Sequence, residues 1–164
     1  MYELYRIRAE DLKEIPFNGL ERYTYRIFKP SLFKLCMPNC QQSLLMNLYW
    51  YLITRGKFRI YYACDNEIVI HTSYVSPKCY KFPFMKKNDI HIGPCETKKE
   101  YRGQGIYPYV ITKIVRDYAN NNADFFMIID DQNISSQKGA MKLGFQKISE
   151  LVYNKLFKIY RIKS

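Results

Sequence analysis

The sequence predicts one α/β domain built around a mixed sheet, and three observations carry that expectation. From residue 88 onward, strand-like and helix-like stretches follow one another in the order strand, helix, strand, helix, strand, strand. Earlier, two apolar-rich runs, Phe58 to Cys64 and Glu67 to Tyr74, are joined by Asp65-Asn66, a strong hairpin signal. The length, 164 residues, suits one core, and no repeat, low-complexity tract or linker divides the chain.

Taken in order, Met1 to Arg8 alternates as a strand does, and Ala9 to Ile15 predicts a short helix with Asp11 and Glu14 near its start. Pro16 to Cys40, broken by Asn18-Gly19, Pro30 and Pro38, gives no clear pattern. Gln41 to Thr54 predicts a helix with Leu44, Leu45, Leu48 and Leu52 on one side and Gly56 as its stop. Pro77 to Lys87 reads as a loop near a substrate. Ile90 to Thr97 alternates as a strand, and Phe125 to Asp130 is a second. The last two strands are Gln146 to Tyr153 and Lys155 to Ile162, turning near Asn154.

Composition narrows the class. Lys and Arg exceed Asp and Glu by 26 − 15 = 11, yet the basic residues are scattered and no block of five or six forms a nucleic-acid tail. Nucleic acid is therefore not the expected partner. The longest apolar run, Leu44 to Ile53, contains Asn47 and is far shorter than a membrane span. No secretory signal opens the chain, so a cytoplasmic protein is expected. Of five cysteines, Cys36 and Cys40 are spaced one helical turn apart, but no second Cys/His pair completes a zinc site. The expectation is reduced thiols and no metal.

The centre of the chain is Tyr101-Arg102-Gly103-Gln104-Gly105-Ile106-Tyr107. Behind it, Tyr107, Val110, Ile111, Ile114, Val115 and Tyr118 form one apolar helix face. Pro108 is tolerated only in a first turn, which starts that helix near Gln104 or Gly105. A strand, a glycine turn and a helix N-terminus together outline an anion site, with free amides, a favourable dipole end and two positions lacking side chains. Arg102 adds a charged fork. A plain tight connection would use the same glycines. Two familiar phosphate loops are excluded: proline occupies 108, where a dinucleotide fingerprint needs glycine, and no Gly-Lys-Ser/Thr occurs.

Arg102-Gly103-Gln104-Gly105-Ile106-Tyr107 resembles the Arg/Gln-x-x-Gly-x-Gly/Ala signature of the GNAT superfamily of acetyl-CoA-dependent N-acyltransferases. Asn133-Ile134-Ser135-Ser136, followed by Ala140-Met141-Lys142-Leu143-Gly144-Phe145, resembles the family's second signature at the expected separation. The resemblance covers roughly residues 88 to 160. It implies a mostly antiparallel mixed sheet with helices on both faces, splayed where acetyl-CoA lies. By position it implies that the backbone of Cys95 to Thr97 pairs with pantetheine. The turn of Arg102, Gly103, Gln104, Gly105, Ile106 and Tyr107 would receive the pyrophosphate, and Asn133 with Ser136 would hold the pantetheine arm. Asn133 is equally a good helix N-cap.

Two positions depart from the family pattern. Tyr107 replaces a Gly or Ala, so its ring must point away from the phosphates. Ala140 stands where many members have a tyrosine that protonates the leaving thiolate, and the sequence identifies no substitute. For the general base, the candidates in order are Glu96, then His71 or His91, then Asp130. In a regular strand His91 would face opposite to Glu96. Structural roles compete for each: a solvent-facing strand carboxylate, satisfied strand histidines, a turn-shaping aspartate.

The expected activity is acetyl transfer from acetyl-CoA to a primary amine by direct attack in a ternary complex. Cys95 invites a covalent route, but nothing adjacent marks it as activated. The alternatives are a non-catalytic coenzyme A- or nucleic-acid-binding module, or transfer of a longer acyl group or an aminoacyl group from tRNA. The acceptor, a small molecule or a protein amine, and a homodimeric state stay open.

Overall fold

The computed structural model describes residues 1–37, 42–119 and 122–163. Its centre is one mixed sheet of eight strands. These are β1 (Tyr2–Arg8), β2 (Thr24–Phe28), β3 (Arg59–Asp65), β4 (Ile68–Pro77), β5 (Ile90–Thr97), β6 (Asp124–Asp130), β7 (Gln146–Asn154) and β8 (Ile159–Ile162). Three helices accompany them: α1 (Leu44–Ile53), α2 (Ile106–Tyr118) and α3 (Ile134–Lys142). Across the sheet the order is β2-β3-β4-β5-β6-β1-β7-β8. Every neighbouring pair is antiparallel except β5 and β6.

Alternation along the strands divides the core into two layers, one on each face of the sheet. Tyr5, Ile7, Val75, Ile92, Phe125 and Met127 pack with Val110, Ile111 and Ile114 of α2 and with Ala140 of α3. On the other face, Leu4, Ile60, Phe126 and Leu151 pack with Trp50 of α1 and with Phe82 and Met85 of the 77–87 loop. The N-terminal strand is central: β1 is inserted between β6 and β7, pairing with β6 along its whole length and with β7 from Tyr2 to Arg6.

Several elements differ from the sequence expectation. The helix expected over Ala9 to Ile15 is only a 3₁₀ turn, Ala9–Asp11. Leu12 and Ile15 pack instead on the core, and the Lys13 amide donates to the Leu143 carbonyl at 3.0 Å. The helix expected from Gln41 starts at Leu44, because the Ser43 hydroxyl accepts the Met46 amide as an N-cap. Gln41 and Cys40, and with Cys40 the Cys36–Cys40 spacing, lie outside the described residues. In the unpatterned stretch the chain forms β2, an edge strand whose residues are mostly exposed, so its apolar signal is weak. The expected hairpin forms with its turn one residue later, at Asn66-Glu67, because Asp65 pairs with Ile68 as the end of β3; Asn66 has φ 51°.

Two features of β5 shape the site. Its pairing with β6 is limited to Ile90↔Phe125 and His91↔Phe126, after which the strands part. Against β4, Cys95 faces Ser73 while Ile92 faces Val75, so β5 carries one extra residue at Gly93-Pro94. That bulge changes the phase of the strand. His91 lies opposite Ser76 and Glu96 opposite Thr72, four residues apart on β4, which places both on one face rather than on opposite faces.

Candidate functional site

At the parting of β5 and β6 a cleft of about 430 Å³ runs along the N-terminus of α2. It is lined by Cys95, Glu96 and Thr97 from β5, by the glycine turn, and by Asn133, Ser135 and Ser136 at the start of α3. A second, adjoining space of about 160 Å³ occupies the gap between the strands themselves, walled by Ile92 to Cys95 and by Met127 to Asp130. Cys95, Tyr107, Asn133 and Ser136 line both. A larger cavity of about 640 Å³ lies at the other end of β6, around Arg8, Asp89 and Asp124, and is lined by none of the predicted site residues.

The turn is built for a close-approaching anion. Gly103 and Gly105 have φ of 78° and 80°, a conformation that glycine adopts without strain. A Cβ at Gly103 would meet nothing within 4 Å, and one at Gly105 only Leu20 at 3.9 Å, so the space beside both is open. Gly105 is the N-cap of α2, with no side chain competing for the first-turn amides. Arg102 donates its Nε to the Thr97 carbonyl at 3.0 Å, which fixes the side chain over the turn, and Lys142 adds a second cation to the lining. Gln104 does not point into the cleft. Its Oε1 accepts from Arg22 at 2.7 Å and from the Tyr23 hydroxyl at 2.7 Å, tying the turn to the 20–23 segment.

Tyr107 meets the condition its size imposes. The ring leaves the turn, packs against Gly139 of α3, and directs its hydroxyl toward the Met127 sulfur of β6 at 3.6 Å. Burial pushes the phenol well above its ordinary range, so it stays protonated. Asn133 caps α3 through its Oδ1, which accepts the Ser136 amide at 3.1 Å, and the residue lines the cleft.

The candidate bases occupy different environments. Glu96 is exposed and lines the cleft. His71 is buried below the cleft floor, where Nδ1 meets the Thr97 hydroxyl at 2.7 Å and Nε2 the Ser73 hydroxyl at 2.8 Å. Burial lowers its pKa to about 4, so both nitrogens serve a neutral ring. His91 lies in the opposite core layer, stacked on Phe82 at 4.1 Å, and lines neither space. Burial lowers it to about 3. Asp130 lines the gap, where its Oδ1 accepts the Gln132 amide at 3.0 Å and shapes the turn into α3. Burial pushes the Cys95 thiol up to about 12, against a smaller lowering by the Ser73 hydroxyl. At neutral pH it is a thiol, not a nucleophilic thiolate.

Sequence reasoning did not find Ser73, which joins His71 to Cys95, nor Gly139, which makes room for Tyr107. Ser73 is two residues from His71, but its contact with Cys95, like that of Gly139 with Tyr107, joins positions distant along the chain, and nothing in the sequence marks either contact. Lys142 was visible only as part of the second signature. Among the described residues no group of three or more His, Cys, Asp and Glu side chains could hold a metal, and no helix is long and apolar enough to cross a membrane.

No protein-family model matches the sequence, and no curated protein matches it. Solved structures do match. An acetyltransferase of the GNAT family from Colwellia psychrerythraea aligns with a TM-score of 0.60 at 14% identity, over 89% of this chain and 52% of that one. A predicted acetyltransferase from Clostridium acetobutylicum, solved with acetyl-CoA, gives 0.59 at 15% identity over 83% and 97%. AAC(6')-Iy, in complex with the bisubstrate analogue CoA-S-monomethyl-acetylneamine, gives 0.58 at 13% identity over 81% and 97%. The chain spans about half the length of several solved structures that it matches. The chain has the fold of the GCN5-related N-acetyltransferases.

Proposed function

We propose that the protein is an N-acetyltransferase that moves an acetyl group from acetyl-CoA to a primary amine by direct attack in a ternary complex. The observation that carries this reading is the continuity of the open amide turn at Gly103-Gly105 with the parted strands, through shared walls at Cys95, Tyr107, Asn133 and Ser136. The turn, Arg102 and Lys142 would hold the phosphates of the coenzyme. The edge of β5 that has left β6 would offer its backbone groups to the pantetheine amides.

Cys95 and Thr97 face the α2 side with Ser73 and His71, whereas the bulge turns Glu96 to the other face. Donor and acceptor would therefore approach from opposite sides of the sheet, which would leave the thioester carbonyl open to direct attack. Glu96 would take the proton of the attacking amine, directly or through one water. Ala140 cannot supply the departing thiolate with a proton. The Tyr107 hydroxyl, protonated and directed across the gap, is the donor we assign to that step.

Calorimetry with acetyl-CoA, followed by thiol release over a panel of amino sugars, polyamines, amino acids and peptide N-termini, tests the reading. Binding with amine-dependent release of one thiol per acetyl group transferred is the expected result. Absence of binding overturns it. Binding without release from any amine favours the second reading, a non-catalytic coenzyme A-binding module, which the alanine at position 140 supports. Release from longer acyl thioesters, but not from acetyl-CoA, would change the donor.

A further inference from the structure

The excess positive charge, which a coenzyme site does not require, is concentrated in one stretch. Between Glu21 and Asp65 the chain has no acidic residue and seven Lys and Arg, so this stretch supplies 7 of the net +11. The same stretch holds much of the exposed apolar surface. In α1, Leu44, Leu45 and Leu52 are 59%, 78% and 63% exposed, and with Leu48 they fall within about 100° of the helix circumference. The helix instead turns Asn47 and Trp50 toward the sheet, both buried. Leu44, Leu45 and Leu52 therefore face mostly solvent, with Leu48 half-buried beneath them.

A second apolar projection belongs to a segment held against α1. Ser31 and Lys34 exchange two backbone hydrogen bonds of 3.0 Å, closing a tight turn with Leu32 and Phe33 at its tip. Leu32 is 66% exposed, and Phe33 completely so. The turn is fixed to α1: the Asn47 side chain donates to the Leu35 carbonyl at 3.0 Å. Lys29 and Lys34 flank the tip, while Arg55 and Lys57 follow the C-terminus of α1, and none of the four forms an ion pair among the described residues.

We propose that the leucine face of α1 and the Leu32-Phe33 turn form a docking surface for an anionic phospholipid bilayer. The chemistry of the surface selects this occupant. Exposed apolar patches of this kind mark interaction sites, and an apolar stripe bordered by cations suits the boundary between headgroups and acyl chains. A negatively charged leaflet attracts the lysines and arginines while the leucines and Phe33 enter the apolar layer. Nucleic acid would use the cations and leave the leucines in water. A second copy, docked face to face, would bring the same lysines and arginines, none of them ion-paired among the described residues, against one another. At ten residues α1 is far too short to span, so it lies on the surface. This inference is independent of the acetyl-transfer reading.

The test is co-sedimentation of the full chain with vesicles of phosphatidylcholine alone or doped with phosphatidylglycerol, at low and high salt. Binding should require the anionic lipid and weaken with salt. Leu32→Glu with Phe33→Glu should reduce it by about tenfold or more, and so should Leu45→Glu with Leu52→Glu. Circular dichroism and thermal unfolding check that these surface variants stay folded, and the two pairs guard against failure of either. Equal binding to neutral and anionic vesicles overturns the proposal, as does no binding or full binding by both variants. A dimer seen by light scattering and dissociated by the same substitutions would assign the surface to a second copy instead. RNA binding lost with Lys29→Glu and Lys34→Glu, but kept when the apolar residues are changed, would assign it to nucleic acid. Either result overturns the bilayer.

Discussion

The Tyr107 ring and Gly139 fit each other so closely that a Cβ at position 139 would lie 2.8 Å from the ring Cε1. The bulky residue at the glycine turn is thus matched by the absence of a side chain on α3. Gly139→Ala should push the ring from its slot at a cost of about 1–3 kcal/mol, lowering Tm by about 2–4 °C per kcal/mol. Combining it with Tyr107→Ala should recover much of that loss, because the clash is then gone. Thermal unfolding of the two single variants and the double measures the coupling, and strict additivity would mean that the contact is not the cause.

Gly105 caps α2 at φ 80°, with open space beside it. Gly105→Val adds a branched side chain where the phosphates would lie and strains the backbone by about 1–3 kcal/mol. Acetyl-CoA affinity should fall about tenfold or more, since each ~1.4 kcal/mol is one decade. An unchanged dissociation constant in a folded variant removes the phosphate assignment from this turn.

Glu96 is the proposed base, and the coenzyme in the cleft it lines would be held by backbone amides rather than by its carboxylate. Glu96→Gln should leave acetyl-CoA affinity nearly intact while turnover falls by ~10²–10⁴-fold. The deficit should shrink as pH rises, because more of the amine is then already neutral. A loss of turnover under about threefold would make Glu96 a surface carboxylate, given that a positioned base is worth far more.

Cys95 is the natural suspect for a covalent route, yet burial pushes its thiol up to about 12. Cys95→Ala should retain most activity, and mass spectrometry after rapid quenching should find no acetylated enzyme. An acetyl adduct on Cys95 that goes on to acylate the amine would replace direct transfer with a two-step mechanism.

His71 links the site to stability. Its pKa is about 4 in the folded protein against 6.5 for the ordinary side chain. Between these values the unfolded chain binds more protons, so the stability from the neutral buried ring is complete above about 6.5 and lost as pH falls toward 4. The full effect is on the order of 3 kcal/mol. His91, lowered to about 3, contributes with the same sign. The acid-side decline of Tm should therefore be shallower in His71→Asn than in the native protein. An identical slope would mean that His71 titrates normally.

Much of the architecture was legible along the chain. The alternation of β1 and β5, the hairpin near Asn66, the apolar stripe of α2 and the start enforced by Pro108 are all local patterns, and local patterns survive folding. The glycine turn and its placement before a helix belong to the same class, which is why the cleft could be anticipated from Gly103 and Gly105. Other features depend on residues far apart in sequence. The extra residue at Gly93-Pro94 is defined only by pairing with β4, and it alone decides that Glu96 shares a face with His91. The helix pattern of α1 says that Leu44, Leu45 and Leu52 lie together but not whether they face the sheet. The sheet is covered instead by Trp50, while Asn47 turns inward to hold Leu35, and the leucines are left in water. Likewise His71 is an ordinary strand histidine until Ser73, Thr97 and the layer around Tyr107 close over it. Periodicity is a property of the segment. Burial and register are properties of what packs against it.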